Sequence, residues 1–292
     1  MPDFKPFIVS GLALGAIYSL SGVGIVLLLR TSGVLNLAHG ALGAASALTC
    51  WQLLDDGNGE PLAIAAGVVV AAALAAGYGL LISPRLAGRE PVVQAASSLG
   101  FALAVLGGCL LIWGEEPRTL DLSTSLRGFF LGEVHVNTTQ VIALCLGLAT
   151  TLVASIVLRA TRVGVAMRSL ACDRELSALL GVRVRRTEAL AWTASGALAG
   201  LAGILLASLV RLEPYTLTFL VIASLAAAVL GGLRSLYGVF AGGLLIGVLQ
   251  ACATPVGAIS TYRDATPFVV AIVAMLALYA RGQGAATGGR QA

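Results

Sequence analysis

Only two histidines occur in 292 residues. One of them, His39, follows Asn36 by three positions in the stretch "GVLNLAHGAL". An imidazole with its ordinary pKa of about 6.5 can carry a proton near neutral pH, activate a nucleophile or ligate a metal. Each role needs company. Nucleophilic catalysis needs a hydroxyl or thiol beside an oriented base, and no glycine-flanked serine motif frames Ser97 or Ser98. Proton carriage through a membrane needs further ionisable groups. A metal needs several ligands at suitable spacing. The other histidine, His135, is far away in sequence, and the five cysteines form no Cys-x-x-Cys pair. The cysteines read as small apolar fillers without disulfide or metal, and the chain does not read as an enzyme.

The elements that must position His39 are apolar. Hydrophobic residues make up 58% of the chain and charged residues 11%, against about 25% charged in a soluble domain. The surface of such a chain is covered mostly by lipid. A formal net charge of +4 then reports membrane orientation rather than affinity for nucleic acid. A crossing helix needs about 20 apolar residues, and uncharged runs of that kind occupy 6–29, 31–54, 61–84, 91–114, 134–158, 189–210, 214–233, 235–262 and 265–280. The first reads as a retained span rather than a cleaved signal peptide. The reading is an all-α, polytopic transmembrane bundle forming one domain over 1–292, with nine spans, or eight if 214–262 is a broken hairpin.

Charge supports the odd number. Alternate connections (30, 85–90, 159–188, 234, 281–292) hold 13 Arg and 4 acids, whereas the opposite set holds 5 basic and 10 acidic residues. The basic set is expected in the cytoplasm, the N-terminus outside and the C-terminus inside. On this topology the second span begins near Gly33, close to the cytoplasmic face, with Asn36 and His39 on one helix face at i and i+3. Small residues four apart (Gly11 and Gly15, Gly196 and Gly200, Ala199 and Gly203, Gly238 and Gly242) are placed for close helix packing.

The 159–188 connection, "RATRVGVAMRSLACDRELSALLGVRVRRTE", carries seven Arg. Asp173 is a good N-cap and Glu175 suits a helix N-terminus. Leu176, Leu179 and Leu180 make one apolar stripe, and Gly181 is placed to stop the helix. About seven residues cannot span the bilayer or hold a helix alone, so the stripe must dock on the bundle, the membrane surface or a cytoplasmic partner.

These residues carry a family resemblance over nearly the whole chain. "GLALGAIYSLSGVGIVLLLRTSGVLNLAHGAL" resembles the first two spans of the permease subunits of bacterial branched-chain amino acid ABC transporters, with Asn36-Leu37-Ala38-His39-Gly40 on their Asn-Phe-Ala-His-Gly motif. "TRVGVAMRSLACDRELSALLGV" resembles their cytoplasmic coupling loop, with Gly164, Ala166, Arg168, Asp173, Leu180 and Gly181 on its pattern. "ASGALAGLAGILLA" and "AAVLGGLRSLYGVFAGGLLIG" resemble later segments, although Arg234 replaces a Gly, Tyr237 stands where Pro is common and the C-terminal motif is reduced to "ARGQG".

The resemblance implies an importer in the bacterial inner membrane. A periplasmic substrate-binding protein would deliver the solute, a second permease subunit (a copy or a paralogue) would complete the pathway, and cytoplasmic ABC ATPase subunits would use ATP. This chain has no phosphate-binding loop and its sole lysine is Lys5, so no cofactor is expected on it. Branched-chain amino acids are the expected solutes, urea or short-chain amides the alternative; an ion-coupled carrier is a further rival. The expected pathway residues are Asn36, His39, Gly40, Ser97 and Ser98. Those expected to couple to the ATPase are Gly164, Arg168, Asp173, Glu175, Leu176, Leu179, Leu180 and Gly181.

Overall fold

Pro6 and Gly33 bracket the first helix. The structure is a computed structural model that describes residues 4–126, 128–131, 134–233, 235–255, 265–273 and 276; Arg234 and the C-terminal "ARGQG" lie outside the described residues. Helix α1 (Lys5–Ser32) starts with Pro in its first turn, where the missing N–H costs nothing, and ends where Gly33 turns left-handed at φ 70°. The chain continues through α2 (His39–Asp55), α3 (Glu60–Leu81), α4 (Ser83–Leu86), α5 (Pro91–Trp113) and α6 (Ser123–Leu126). A hairpin follows, β1 (Gly128–Leu131) and β2 (Val134–Asn137), then α7 (Thr138–Ala160), α8 (Arg162–Cys172), α9 (Arg174–Leu179) and α10 (Val184–Ala207). Helices α11 (Pro214–Thr218), α12 (Leu220–Leu230) and α13 (Leu236–Ala253) follow, and residues 266–273 are helical.

Among the described residues, six helices are long and apolar enough to cross a membrane: α1, α3 with α4, α5, α7, α10 and α13. Three of the nine expected runs do not appear there as long helices, and the reason is local. The run 31–54 is interrupted at Gly33–Ala38, leaving α2 with 17 residues, about 26 Å of helix against a hydrocarbon core of about 30 Å. The run 214–233 is split at Phe219 into α11 and α12. Only part of 265–280 lies within the described residues. The bundle is mostly helical, as expected, with one addition: β1 and β2 pair as an antiparallel hairpin, Phe129 opposite Val136. Asn137 at its end caps α7 through a reciprocal capping box with Gln140.

Helix α1 is the axis of the bundle: every residue from Gly15 to Leu28 is buried. It packs against α13, α10, α7 and α12. The rim helices α3, α5 and α7 expose Val69, Leu103, Leu111, Val153 and Ile156, the surface expected toward lipid. Glycine sets the central spacings. A Cβ at Gly11 or Gly15 would collide with backbone of α13 at Gly247–Val248 and Gly243–Leu244, and Gly196 and Gly200 lie against Ala71, Ala75 and Val68 of α3. Gly43 and Gly203 bring α2 and α10 into backbone contact. Gly238 and Gly242 seat α13 on the end of α12, where the chain turns through Gly232 and Leu233, both left-handed. Two of the five cysteines are not buried fillers: Cys145 and Cys172 are exposed.

Candidate functional site

The Asn36–His39 stretch forms a helix break. Asn36 is not helical, so it does not share a helix face with His39, as the i, i+3 spacing suggests. Its Oδ1 accepts the Ala38 N–H at 3.0 Å, closing a local turn. Ser98 of α5 fixes the stretch of chain before it: its Oγ accepts the Leu37 N–H at 3.1 Å and donates toward the carbonyls of Leu35 and Ala95. Helix α2 then starts at His39 with no side-chain cap and no acid in its first turn.

His39 and Asn36 are fully buried. His39 Nδ1 lies 3.4 Å from Ser195 Oγ, and its ring rests against the surface left open by Gly24. His39 Nε2 and Asn36 Nδ2 have no hydrogen-bond partner among the described residues, an expensive condition in a bundle interior. Ser195 lies near the midpoint of α10, a crossing helix. The histidine therefore packs against the middle of α10 and against Gly24 of α1, inward of Arg30 rather than level with it. The non-helical residues 33–38 carry the chain back inward from Arg30, a displacement that a continuous-helix reading of 31–54 omits.

Gly40 faces the second break. A Cβ there would overlap the Thr218 carbonyl at the end of α11. Two interrupted helices thus meet in the interior, the arrangement that brings unsatisfied helix ends and irregular backbone together at membrane depth. A cavity of about 820 Å³ opens beside the second break, lined in part by Tyr18, Thr216, Phe219, Arg211, Glu213 and Gln250. Tyr18 donates to Gln250 at 2.8 Å across it. Of the five expected pathway residues, Asn36, His39, Gly40 and Ser98 gather at the breaks. Ser97 instead accepts the Tyr78 hydroxyl at 3.0 Å, beside Tyr78's ring contacts with Phe101 and Trp192. Ser195, Gly24 and Thr218 complete the site; no proline or glycine stands between Tyr215 and Leu230 to signal the second break in the sequence.

The 159–188 connection folds as two capped helices. Helix α8 is absent from the sequence reading although Thr161 caps it, accepting the Gly164 N–H at 3.1 Å. Gly164 packs on the backbone of Val157 and Leu158, leaving no room for a side chain. Asp173 caps α9 by accepting the Leu176 N–H at 2.9 Å, and Glu175 lies in its first turn. Gly181, at φ +87°, stops the helix: its N–H reaches Ala178 and that of Val182 reaches Ser177, a Schellman closure. Leu176, Leu179 and Leu180 are 54%, 84% and 75% exposed, so the apolar stripe does not dock on its own bundle. Arg174 pins α9 to the start of α10 through Glu188, Nε to Oε1 at 2.8 Å. That hydrogen bond raises the Arg174 pKa further above its ordinary value. Asp173→Ala is expected to weaken α9 by about 1 kcal/mol, read as faster amide exchange at Leu176–Leu179 with no change across α10.

A model of the family described as "Branched-chain amino acid transport system / permease component" matches residues 7–278. The chain belongs to that family. The permease is 27% identical to the high-affinity branched-chain amino acid transport system permease protein LivH of Escherichia coli (strain K12), covering 92% of each chain. It is 28% identical to BraD of Pseudomonas aeruginosa, covering 94% of this chain and 95% of the relative. A fructose import permease protein, FruF of Bifidobacterium longum, is 25% identical over 89% of the chain and 72% of its own length. Among solved structures, PsaBC from Streptococcus pneumoniae in complex with Fab shares the fold at a TM-score of 0.50 and 14% identity, over 92% of this chain and 90% of that one.

Proposed function

We propose that the permease is the membrane-spanning subunit of an ATP-driven importer in a bacterial inner membrane. It would pass branched-chain or similar amino acids delivered by a periplasmic binding protein. It would act with a second permease subunit and two cytoplasmic ATPases. ATP would be used by those partners. The observation that carries the reading is the meeting of two broken helices in the interior of the bundle. Two buried nitrogens, Asn36 Nδ2 and His39 Nε2, lack partners among the described residues and would face a passing polar solute or its water. Gly40 and Ser98 would shape and hold that point, and Ser97 would brace it from α5. The basic end, with Arg30, Arg85, Arg159 and Arg168, would face the cytoplasm, leaving the N-terminus outside and the C-terminus inside. The coupling residues would be Gly164 and Arg168 on α8, and Asp173 to Gly181 around α9. The family relatives include a sugar permease by name, so the frame itself does not select the solute; the binding protein would.

The test is uptake of radiolabelled leucine by proteoliposomes containing the full complex and its binding protein. Uptake should require internal ATP, and undiminished uptake after ATP depletion would sink the proposal. His39→Gln keeps a hydrogen-bonding side chain without an ionisable ring. It should retain at least half of wild-type uptake, while His39→Leu should lose most of it. Equal, deep losses in both would instead indicate proton chemistry at the break.

A further inference from the structure

Helix α9 is tied to the bundle at few points. Ser177 is its one buried residue, and that hydroxyl bonds the Asp173 carbonyl of its own turn. The chain joins α9 to α10 through the turn Leu180–Arg183, which contains Gly181 at φ +87°. Glycine tolerates a wide range of backbone angles, so such a turn can act as a hinge. The open end of the same helical hairpin is closed by an ion pair. Arg174, the first residue of α9, lays its fork on Glu188 of α10: Nε donates to Oε1 at 2.8 Å and Nη2 to Oε2 at 3.4 Å. Glu188 is 4% exposed, and among the described residues it is the one buried carboxylate. Burying a carboxylate is costly, and the attraction of its partner commonly does no more than offset that cost. What a two-pronged guanidinium–carboxylate contact adds is a fixed direction. A hairpin braced at its open end cannot bend freely at its turn.

The braced helix holds the residues around the break. Ser195 lies seven positions beyond Glu188, two turns along the same face of α10, and its Oγ is the group 3.4 Å from His39 Nδ1. Trp192, one turn beyond Glu188, meets the Tyr78 ring with centroids 4.6 Å apart. Tyr78 in turn donates to Ser97, the neighbour of the Ser98 that holds Leu35 and Leu37. Helix α10 thus reaches the break on both sides, before it and after it.

We infer that Arg174 and Glu188 are positioning residues for coupling. Their ion pair makes α9 and α10 one rigid body, so a displacement imposed on α9 by a cytoplasmic partner arrives at His39 instead of being absorbed at Gly181. The consequence for uptake rests on the transport reading above; the brace itself is a property of the permease alone.

Two measurements test it, and the first needs no transport. In the full-length permease with its native cysteines replaced by Ala, spin labels attached through Ala178→Cys on α9 and Leu190→Cys on α10, both exposed positions, report the distance between the two helices. Adding Arg174→Ala should broaden that distance distribution, and an unchanged distribution would overturn the brace. The second measurement is leucine taken up per ATP hydrolysed by the full complex in proteoliposomes. Arg174→Ala and Glu188→Gln should each lower that ratio about tenfold, while ATPase subunits still co-purify and hydrolysis continues. Arg174→Lys keeps the charge but not the fork and should fall between. The double variant Arg174→Ala/Glu188→Gln should be no worse than either single variant, since both remove the same contact. Additive losses would show two independent roles and overturn the pairing. A broadened distribution with an unchanged ratio would overturn the coupling role. Uptake and hydrolysis falling in step, or ATPase subunits lost from Arg174→Ala, would mean that the arginine, 44% exposed, serves the ATPase contact, and the proposal fails. Melting temperatures separate lost coupling from lost folding; Arg174→Ala, at the exposed partner, should leave the bundle folded even where Glu188→Gln does not. Should uptake prove independent of ATP, the transport reading fails while the spin-label distances still decide the brace.

Discussion

Gly203→Val should leave almost no correctly packed permease. The Cβ of residue 203 would fall on the backbone of Gly43, on its carbonyl oxygen, carbonyl carbon and Cα. The obstruction is backbone on both sides, so no rotamer change relieves it, and α2 and α10 must separate. In water-soluble cores such overpacking costs about 1–3 kcal/mol, occasionally more. Here the separation would also disturb the His39–Ser195 approach, one and two turns away along the same two helices. The expected result is loss of the monodisperse peak on size exclusion in mild detergent and loss of uptake. The control is Gly107→Val on α5, where nothing lies within 4 Å of an added Cβ; it should behave as wild type. A well-folded Gly203→Val protein would mean that the α2–α10 contact is not close.

Simultaneous replacement of Leu176, Leu179 and Leu180 by Ala should have the opposite profile, with a stable permease and failed transport. All three are largely exposed, so truncation removes little packing from the bundle. If the stripe inserts into the ATPase, each leucine buries a side chain worth about 1.5–3 kcal/mol on full desolvation. Losing them should cut substrate-stimulated ATP hydrolysis and uptake tenfold or more, while melting temperature and membrane insertion stay unchanged. Normal stimulation in this triple variant would refute the coupling role of α9.

The two regions differ in how much of their structure is legible in the sequence. Around α9 the determinants are local. Asp173 caps the residue three positions on, and Gly181 and Val182 close the helix by bonding three and five positions back, so a short window contains the whole motif. The break before α2 is set by Ser98, more than sixty positions away, which holds Leu35 and Leu37. With only the apolar pattern to follow, Asn36 and His39 fall on one continuous helix, and that places the histidine too near the basic end. The paired glycines announce close contacts but not partners: Gly15 meets Gly243 and Gly203 meets Gly43 only because of the tertiary arrangement. The nine apolar runs locate the helices well. Length alone cannot separate those that cross from those that break inside, since a run of hydrophobic residues tolerates either course wherever neighbouring helices bury the freed backbone.

Helix α1 is made long before α13, yet it packs on it: Tyr18 and Gln250, hydrogen-bonded to each other, are 232 positions apart. At about 5–20 residues per second, synthesis keeps α1 waiting for roughly 10–50 s before its neighbour exists. Its chemistry suits the wait. Ser19 already has an acceptor in its own helix, the Gly15 carbonyl at 2.7 Å, and adds Phe240 of α13 only after docking. The Gly11–Gly15 groove leaves bare backbone that lipid can cover and later vacate without disturbing any side chain. Closure of the bundle around α1 thus waits for the synthesis of α13. A nascent chain stalled before Leu236 should hold α1 inserted but uncovered, an open seam available to a quality-control protease or to the wrong helix.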